Sequence, residues 1–202
     1  GYAVALDGTR IIAGAPYHNS NAGAAYVFDR PGGAWVNATQ TAKLTATGGA
    51  AGDYFGDAVA VSGNLAVVGA YGSDAPAADA GAAYVFTYNG AWAQTARLDS
   101  ENVEAGGGFG EAVAVDAINN VVVVGAPYET VDLITAAAGK TYVFVGGNYA
   151  DPVELEATQV TTATWLGYAV AVQGDNILAG APQDNQGIGA TYVFTRPTIS
   201  TI

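Results

Sequence analysis

The 202 residues are half apolar, only 12% charged and carry a formal net charge of −12, with no cysteine and no methionine. That apolar content fills a substantial core, and so little charge fits neither a disordered chain nor a helical bundle. The chain lacks the basic cluster that nucleic acid or an anionic membrane requires, the thiols of a disulfide or thiolate metal site, and any apolar run near the roughly 20 residues that cross a bilayer.

The first element, Gly1-Tyr-Ala-Val-Ala-Leu6, reads as a short strand, and Asp7-Gly8 after it as a two-residue turn of a tight hairpin. Ile11 to Ala15 is a second strand ending in Gly-Ala, and Tyr26-Val-Phe28 a third, its aromatic and β-branched residues suiting a half-buried pleated surface. Trp35 to Leu44 follows as a more polar outer strand. The series then returns. Phe55-Gly-Asp-Ala-Val-Ala-Val61, Phe109-Gly-Glu-Ala-Val-Ala-Val115 and Leu166-Gly-Tyr-Ala-Val-Ala-Val172 repeat the first strand. Leu65 to Ala70, Val121 to Ala126 and Ile177 to Ala181 repeat the second, whose glycines Gly14, Gly69, Gly125 and Gly180 are spaced by 55, 56 and 55 residues. Tyr84-Val-Phe86, Tyr142-Val-Phe144 and Tyr192-Val-Phe194 repeat the third; Trp92 to Leu98 and Tyr149 to Leu155 repeat the fourth. Ser62-Gly63 and Gly174-Asp175 again read as two-residue turns.

Four strands in a unit of about 55 residues match the blade of a β-propeller, because so small a sheet buries both faces only against neighbours. The expected fold is therefore all-β: a propeller of four-stranded antiparallel blades in one domain, with repeats at 1–54, 55–108, 109–165 and 166–202. Part of a six- or seven-bladed ring is the expected setting, with a compact four-bladed ring as the alternative. Alanine-rich first strands suit the crowded axis, and Trp, Tyr and Phe suit the wider periphery.

Phe-Gly, then Ala-Val-Ala-Val, then Gly-Ala-Pro resembles the FG-GAP repeat, the blade unit of integrin α-chain propellers and of many secreted microbial and algal proteins. Phe55-Gly56 and Phe109-Gly110 keep the first element and Leu166-Gly167 varies it; Gly14-Ala-Pro16, Gly125-Ala-Pro127 and Gly180-Ala-Pro182 keep the second, while Gly69-Ala-Tyr71 replaces the proline. Many integrin-type repeats carry an Asp/Asn-rich calcium loop between the first two strands. Here that connection is too short to supply six to eight oxygens, so the chain resembles the calcium-loop-free bacterial and algal type. The resemblance implies a secreted or cell-surface protein that presents loops to a protein or glycan partner, with possible assembly with other chains or domains.

The loops between second and third strands vary in length, and Tyr17, Tyr71, Asp74, Tyr128, Glu129 and Asp184 on them are the candidate partner contacts. No cofactor is expected. Asp74 with Asp79, Glu129 with Asp132, and Asp184 with Asn185 offer only two or three oxygens each for a calcium ion. His18, the single histidine, has Ser20 nearby but no nucleophile elbow, and reads as a surface-loop residue. Glu154 and Glu156 share a face of an outer strand, where they protect an edge. Asn37-Ala-Thr39 is a glycosylation sequon. The functional expectation is a non-catalytic extracellular binding or structural module. The competing expectation is a propeller of, or appended to, a secreted carbohydrate-active or hydrolytic enzyme. Catalysis would gather carboxylates or tyrosines at one end of the axis, and inner strands of Ala and Val argue against that.

Overall fold

Alternating small and β-branched residues put every second side chain on the same side of a pleated strand. In the computed structural model, residues 1–30, 32, 39–131, 137–149, 151–157 and 163–196 are described, and within them 15 strands form four antiparallel sheets. The first blade holds β1 (Val4–Asp7), β2 (Arg10–Ala15), β3 (Ala24–Asp29) and β4 (Ala42–Leu44). The second holds β5 (Val59–Ser62), β6 (Leu65–Ala70), β7 (Ala82–Tyr88) and β8 (Trp92–Leu98). The third holds β9 (Ala112–Asp116), β10 (Val121–Ala126), β11 (Lys140–Val145) and β12 (Val153–Leu155), and the fourth β13 (Ala169–Gln173), β14 (Asn176–Ala181) and β15 (Ala190–Thr195). Strands pair in chain order within each sheet, which is the meander of a propeller blade.

Local details differ from the expectation. Asp7 pairs with Arg10 and Ser62 with Leu65, so the connecting residues are Gly8-Thr9 and Gly63-Asn64, one position later than expected. Gly174-Asp175 does connect its hairpin, since Gln173 pairs with Asn176. Among the described residues the outer strands β4 and β12 hold three residues each, β12 within the expected Tyr149 to Leu155, whereas β8 runs Trp92–Leu98 as expected. Trp35, Asn37, Asp132 and residues 198–202 lie outside the described residues.

The core lies between blades rather than within them. Ile12, Val27 and Leu44 of the first blade pack with Phe55, Ala66 and Tyr84 of the second. Val67, Val85 and Leu98 of the second pack with Phe109, Val122 and Tyr142 of the third. Val123 and Val143 of the third meet Ile177 of the fourth. Each blade thus spends one face on each neighbour. Phe55, Phe109 and Leu166 are fully buried, and each contributes about 2–3 kcal/mol of apolar burial to an interface.

Backbone fit makes those interfaces tight. A Cβ on Gly14, Gly69 or Gly125 would lie 1.8–1.9 Å from the carbonyl oxygen of Gly56, Gly110 or Gly167 in the next blade, so only glycine permits the approach. Hydrogen bonds from the amides of Phe55, Phe109 and Leu166 to the carbonyls of Ala22, Ala80 and Ala138 complete the joint. Arg10 adds a clamp between the first two blades: it pairs with Asp29 at 2.7 Å, donates to the Gly63 carbonyl, and lies over the rings of Tyr88 and Trp92 at 4.6 and 4.9 Å.

The innermost strands β1, β5, β9 and β13 follow one another around a common axis. At their hairpin end Leu6, Val61, Val115 and Val172, one from each blade, line a cavity of about 530 Å³. At the other end β5, β9 and β13 begin at Val59, Ala112 and Ala169, shortly after Phe55-Gly56, Phe109-Gly110 and Leu166-Gly167.

Candidate functional site

Because the joint fixes the backbone at Gly56, Gly110 and Gly167, in left-handed conformations with φ of 96°, 93° and 91°, it also fixes the residue that follows. Those residues are Asp57, Glu111 and Tyr168, with Tyr2 in the same place in the first blade. One repeat position therefore supplies two tyrosines and two carboxylates to the mouth of the axis.

Around this group runs a belt of aromatic rings. Tyr2 meets Tyr17 edge-on at 5.9 Å, Tyr17 meets Tyr54 at 6.0 Å, and Tyr54 stacks on Tyr71 at 5.1 Å. On the far side Tyr128 meets Trp165 edge-on at 5.7 Å, and Trp165 stacks on Tyr168 at 6.1 Å. Asp57 and Glu111 sit between the two halves: both charges act on Tyr71, Tyr128 and Tyr2. Tyr2, Tyr17 and Tyr168 are 62%, 64% and 45% exposed, so the belt is open to a partner.

Partial burial pushes the Asp57 carboxyl up to about 6. Burial, reinforced by the Asp57 charge, pushes Glu111 up to about 7. Burial, then the Asp57 charge, with smaller contributions from Tyr54 and Glu111, raises the Tyr71 hydroxyl to about 12. Neither Asp57 nor Glu111 has a side-chain hydrogen bond or ion pair among the described residues, which is why desolvation governs both. The mouth therefore holds two carboxylates whose negative charge is short of partners, flanked by the electron-rich faces of aromatic rings. Both features favour a cation or a multiple hydrogen-bond donor.

Of the residues singled out from sequence, Tyr17, Tyr71 and Tyr128 come together in this belt. Asp74, Glu129 and Asp184 do not join them. The Asp74 carboxylate accepts the Asp79 amide at 3.0 Å within its own exposed loop. Glu129 is 1% exposed and accepts a 2.5 Å hydrogen bond from Tyr142. Asp184 accepts from Tyr192 at 2.6 Å and from the Asn185 amide at 2.6 Å. Among the described residues no group of three or more His, Asp or Glu side chains is placed to hold a metal ion.

A repeat-wide rule explains Glu129 and Asp184. The third-strand tyrosine of each blade reaches the loop residue four places after the Gly-Ala glycine. In the first blade that residue is His18, which accepts from Lys43 at 2.9 Å and meets Tyr26 edge-on. In the second it is Ser73, joined to Tyr84 through Arg97 at 3.4 and 3.1 Å. These contacts fasten the loops to the sheet, and His18 forms no pair with Ser20. Glu154 and Glu156 likewise hold Lys140, at 2.8 and 3.3 Å.

Sequence reasoning passed over Asp57 and Glu111, and expected a mouth without carboxylates from the Ala/Val content of the inner strands. The structure corrects that expectation, because both residues precede the strands and belong to the joint. Their signal was available: the position after Phe-Gly reads Tyr, Asp, Glu, Tyr beside columns of Ala and Val.

Successive antiparallel blades around an axis define a β-propeller. The chain belongs to the FG-GAP repeat family, whose model matches residues 1–28, 38–86 and 92–144, more than half its length. Comparison with curated proteins returns no match.

Proposed function

We propose that the chain is an extracellular binding module and that the mouth of its axis, rather than the outer loops, is where a partner docks. The observation that carries this reading is the pair Asp57 and Glu111, partly desolvated and without an ion-pair partner among the described residues, inside a belt of seven aromatic rings contributed by all four blades. A protein surface that brings Lys or Arg side chains supplies the counter-charge and lays cations on the rings. The net charge of −12 speeds encounter with such a partner at low salt.

Parallel binding arrays of basic peptides, acidic peptides and neutral glycans test this reading. The expected result is retention of basic peptides, lost in the double variant Asp57→Asn/Glu111→Gln and weakened by salt. Retention of neutral glycans that both forms share would assign the mouth to sugar stacking instead.

The same two carboxyl groups favour a second reading, since two neighbouring, partly buried carboxyls in an open mouth are the groups that serve as acid and base in glycoside hydrolysis. Release of reducing sugar from a polysaccharide panel, abolished by either single substitution, would establish it. The breadth of the aromatic belt favours binding, because rings spread over four blades serve an extended surface better than one scissile bond.

A further inference from the structure

The three joints between blades share one design, and the fourth blade carries the same design unfilled. In each filled joint, the Gly-Ala glycine (Gly14, Gly69, Gly125) and the glycine before the third strand (Gly23, Gly81, Gly139) form a socket. Added Cβ atoms there would lie 1.8–2.3 Å from carbonyl oxygens of the incoming Phe-Gly or Leu-Gly segment. The counterparts in the fourth blade are Gly180 and Gly189. Around them the nearest atoms to an added Cβ are 3.5 and 3.4 Å away and belong to the same blade. Gly180 also has no left-handed backbone to require glycine.

The apolar face beside this socket is equally unpartnered. Ile12, Val67 and Val123 occupy one position of the second strand and are all fully buried, whereas their counterpart Leu178 is 39% exposed. Val27, Val85 and Val143 are fully buried in the third strand, whereas Val193 is 69% exposed. Ala80 and Ala138, whose carbonyls receive the incoming amide, are 3% and 0% exposed, whereas Ile188 in that position is 80% exposed. A groove of about 480 Å³ lies there, lined by Tyr168, Gly180, Pro182, Ile188 and Gly189 among others.

We infer that this face is an acceptor site for one occupant, the Phe-Gly-led first strand of a further FG-GAP blade. The argument is continuity: the same chain makes this joint three times, each time with an aromatic or leucine residue followed by a left-handed glycine. An aliphatic or aromatic side chain fills the groove, and the glycine carbonyl lies against Gly180. Two incoming amides find the carbonyls of Gly187 and Ile188, as Tyr54 and Phe55 find those of Asn21 and Ala22 at 2.8 and 3.3 Å.

The test uses the whole 202-residue chain and a fluorescent peptide copying residues 52–62, which contain Phe55-Gly56. Anisotropy is expected to rise saturably, with affinity falling about tenfold or more for the chain variant Gly180→Ala or for a peptide carrying Phe55→Ala. An added methyl at Gly180 has room in the isolated chain, so circular dichroism and Tm should not change. Leu178→Asp, on the exposed face, is a second variant expected to abolish binding. Absence of saturable binding at about 1 mM peptide, or binding indifferent to all three changes, would overturn the inference. So would self-association of the chain, measured by light scattering and dissolved by Gly180→Ala, since the occupant would then be the outward face of a second copy around Val4 and Leu6, 72% and 64% exposed.

Discussion

Gly14 faces the carbonyl of Gly56 so closely that a methyl group on it would sit 1.9 Å from the oxygen. The first two blades are therefore held at a separation set by backbone, with no side chain between them at that point. Replacing Gly14, Gly69 or Gly125 by Ala should each cost about 3 kcal/mol, because neither backbone can retreat without opening a core. Gly180→Ala should stay within about 0.5 kcal/mol. Urea denaturation of the four variants measures the contrast directly.

The mouth carboxylates make stability fall as pH rises. Glu111 has an ordinary carboxyl affinity of 4.5 when unfolded and about 7 when folded, so between those values the folded state binds the extra proton. Stability from this group is complete below about pH 4.5 and is lost as pH rises through 7. Asp57 acts in the same direction, its contribution present below about pH 3.8 and lost as pH rises through about 6. Glu111→Gln should accordingly stabilise the chain by about 1–2 kcal/mol at pH 8, after allowance for solvent screening, and by almost nothing at pH 4. Melting curves of both proteins across that range provide the check.

Glu129 and Tyr142 form a buried tie in the third blade, and burial pushes the Glu129 carboxyl upward. Tyr142→Phe removes the hydroxyl that donates to Glu129 and also contacts Ser100 at 2.9 Å. A cost of about 2 kcal/mol is expected, since a buried carboxylate loses its donor. Glu129→Gln should cost less than about 1 kcal/mol, because the amide oxygen still accepts and no charge is buried. Guanidinium denaturation at pH 7.5 ranks the two.

The propeller was legible because its determinants repeat in register. Phe-Gly, Ala-Val-Ala-Val and Tyr-Val-Phe recur in the same order from repeat to repeat, at intervals of 50 to 58 residues, and the blade cores assemble from those same positions. The mouth was legible only in part. Tyr17, Tyr71 and Tyr128 stood out as loop aromatics, whereas Asp57 and Glu111 looked like strand starts; Tyr2, Asp57, Glu111 and Tyr168, scattered over about 170 positions, become neighbours only when the blades gather on an axis. Glu129 and Asp184 looked like free acids because their hydroxyl partners, Tyr142 and Tyr192, lie on the next strand, beyond the reach of a local reading.

Calcium should leave the molecule unaffected. The first-to-second-strand connections are short, and the Asp116 carboxylate, in the longest of them, already accepts from Ile118, Asn119 and Gly174. Burial pushes Asp116 up, but those hydrogen bonds outweigh it and hold the carboxyl below its usual range. Melting temperatures with calcium and with a chelator should agree within about 1 °C, whereas a bound ion at a hundred times its Kd would add about 2.7 kcal/mol.

The most direct test of the mouth as the docking site is an NMR titration of the isotopically labelled chain with an arginine-containing tripeptide. Shift changes should fall on Asp57, Glu111, Tyr71, Tyr128 and Trp165, and should disappear in Asp57→Asn/Glu111→Gln. Changes confined to the outer loops around Asp74 and Asp184, or unchanged in the double variant, would contradict it.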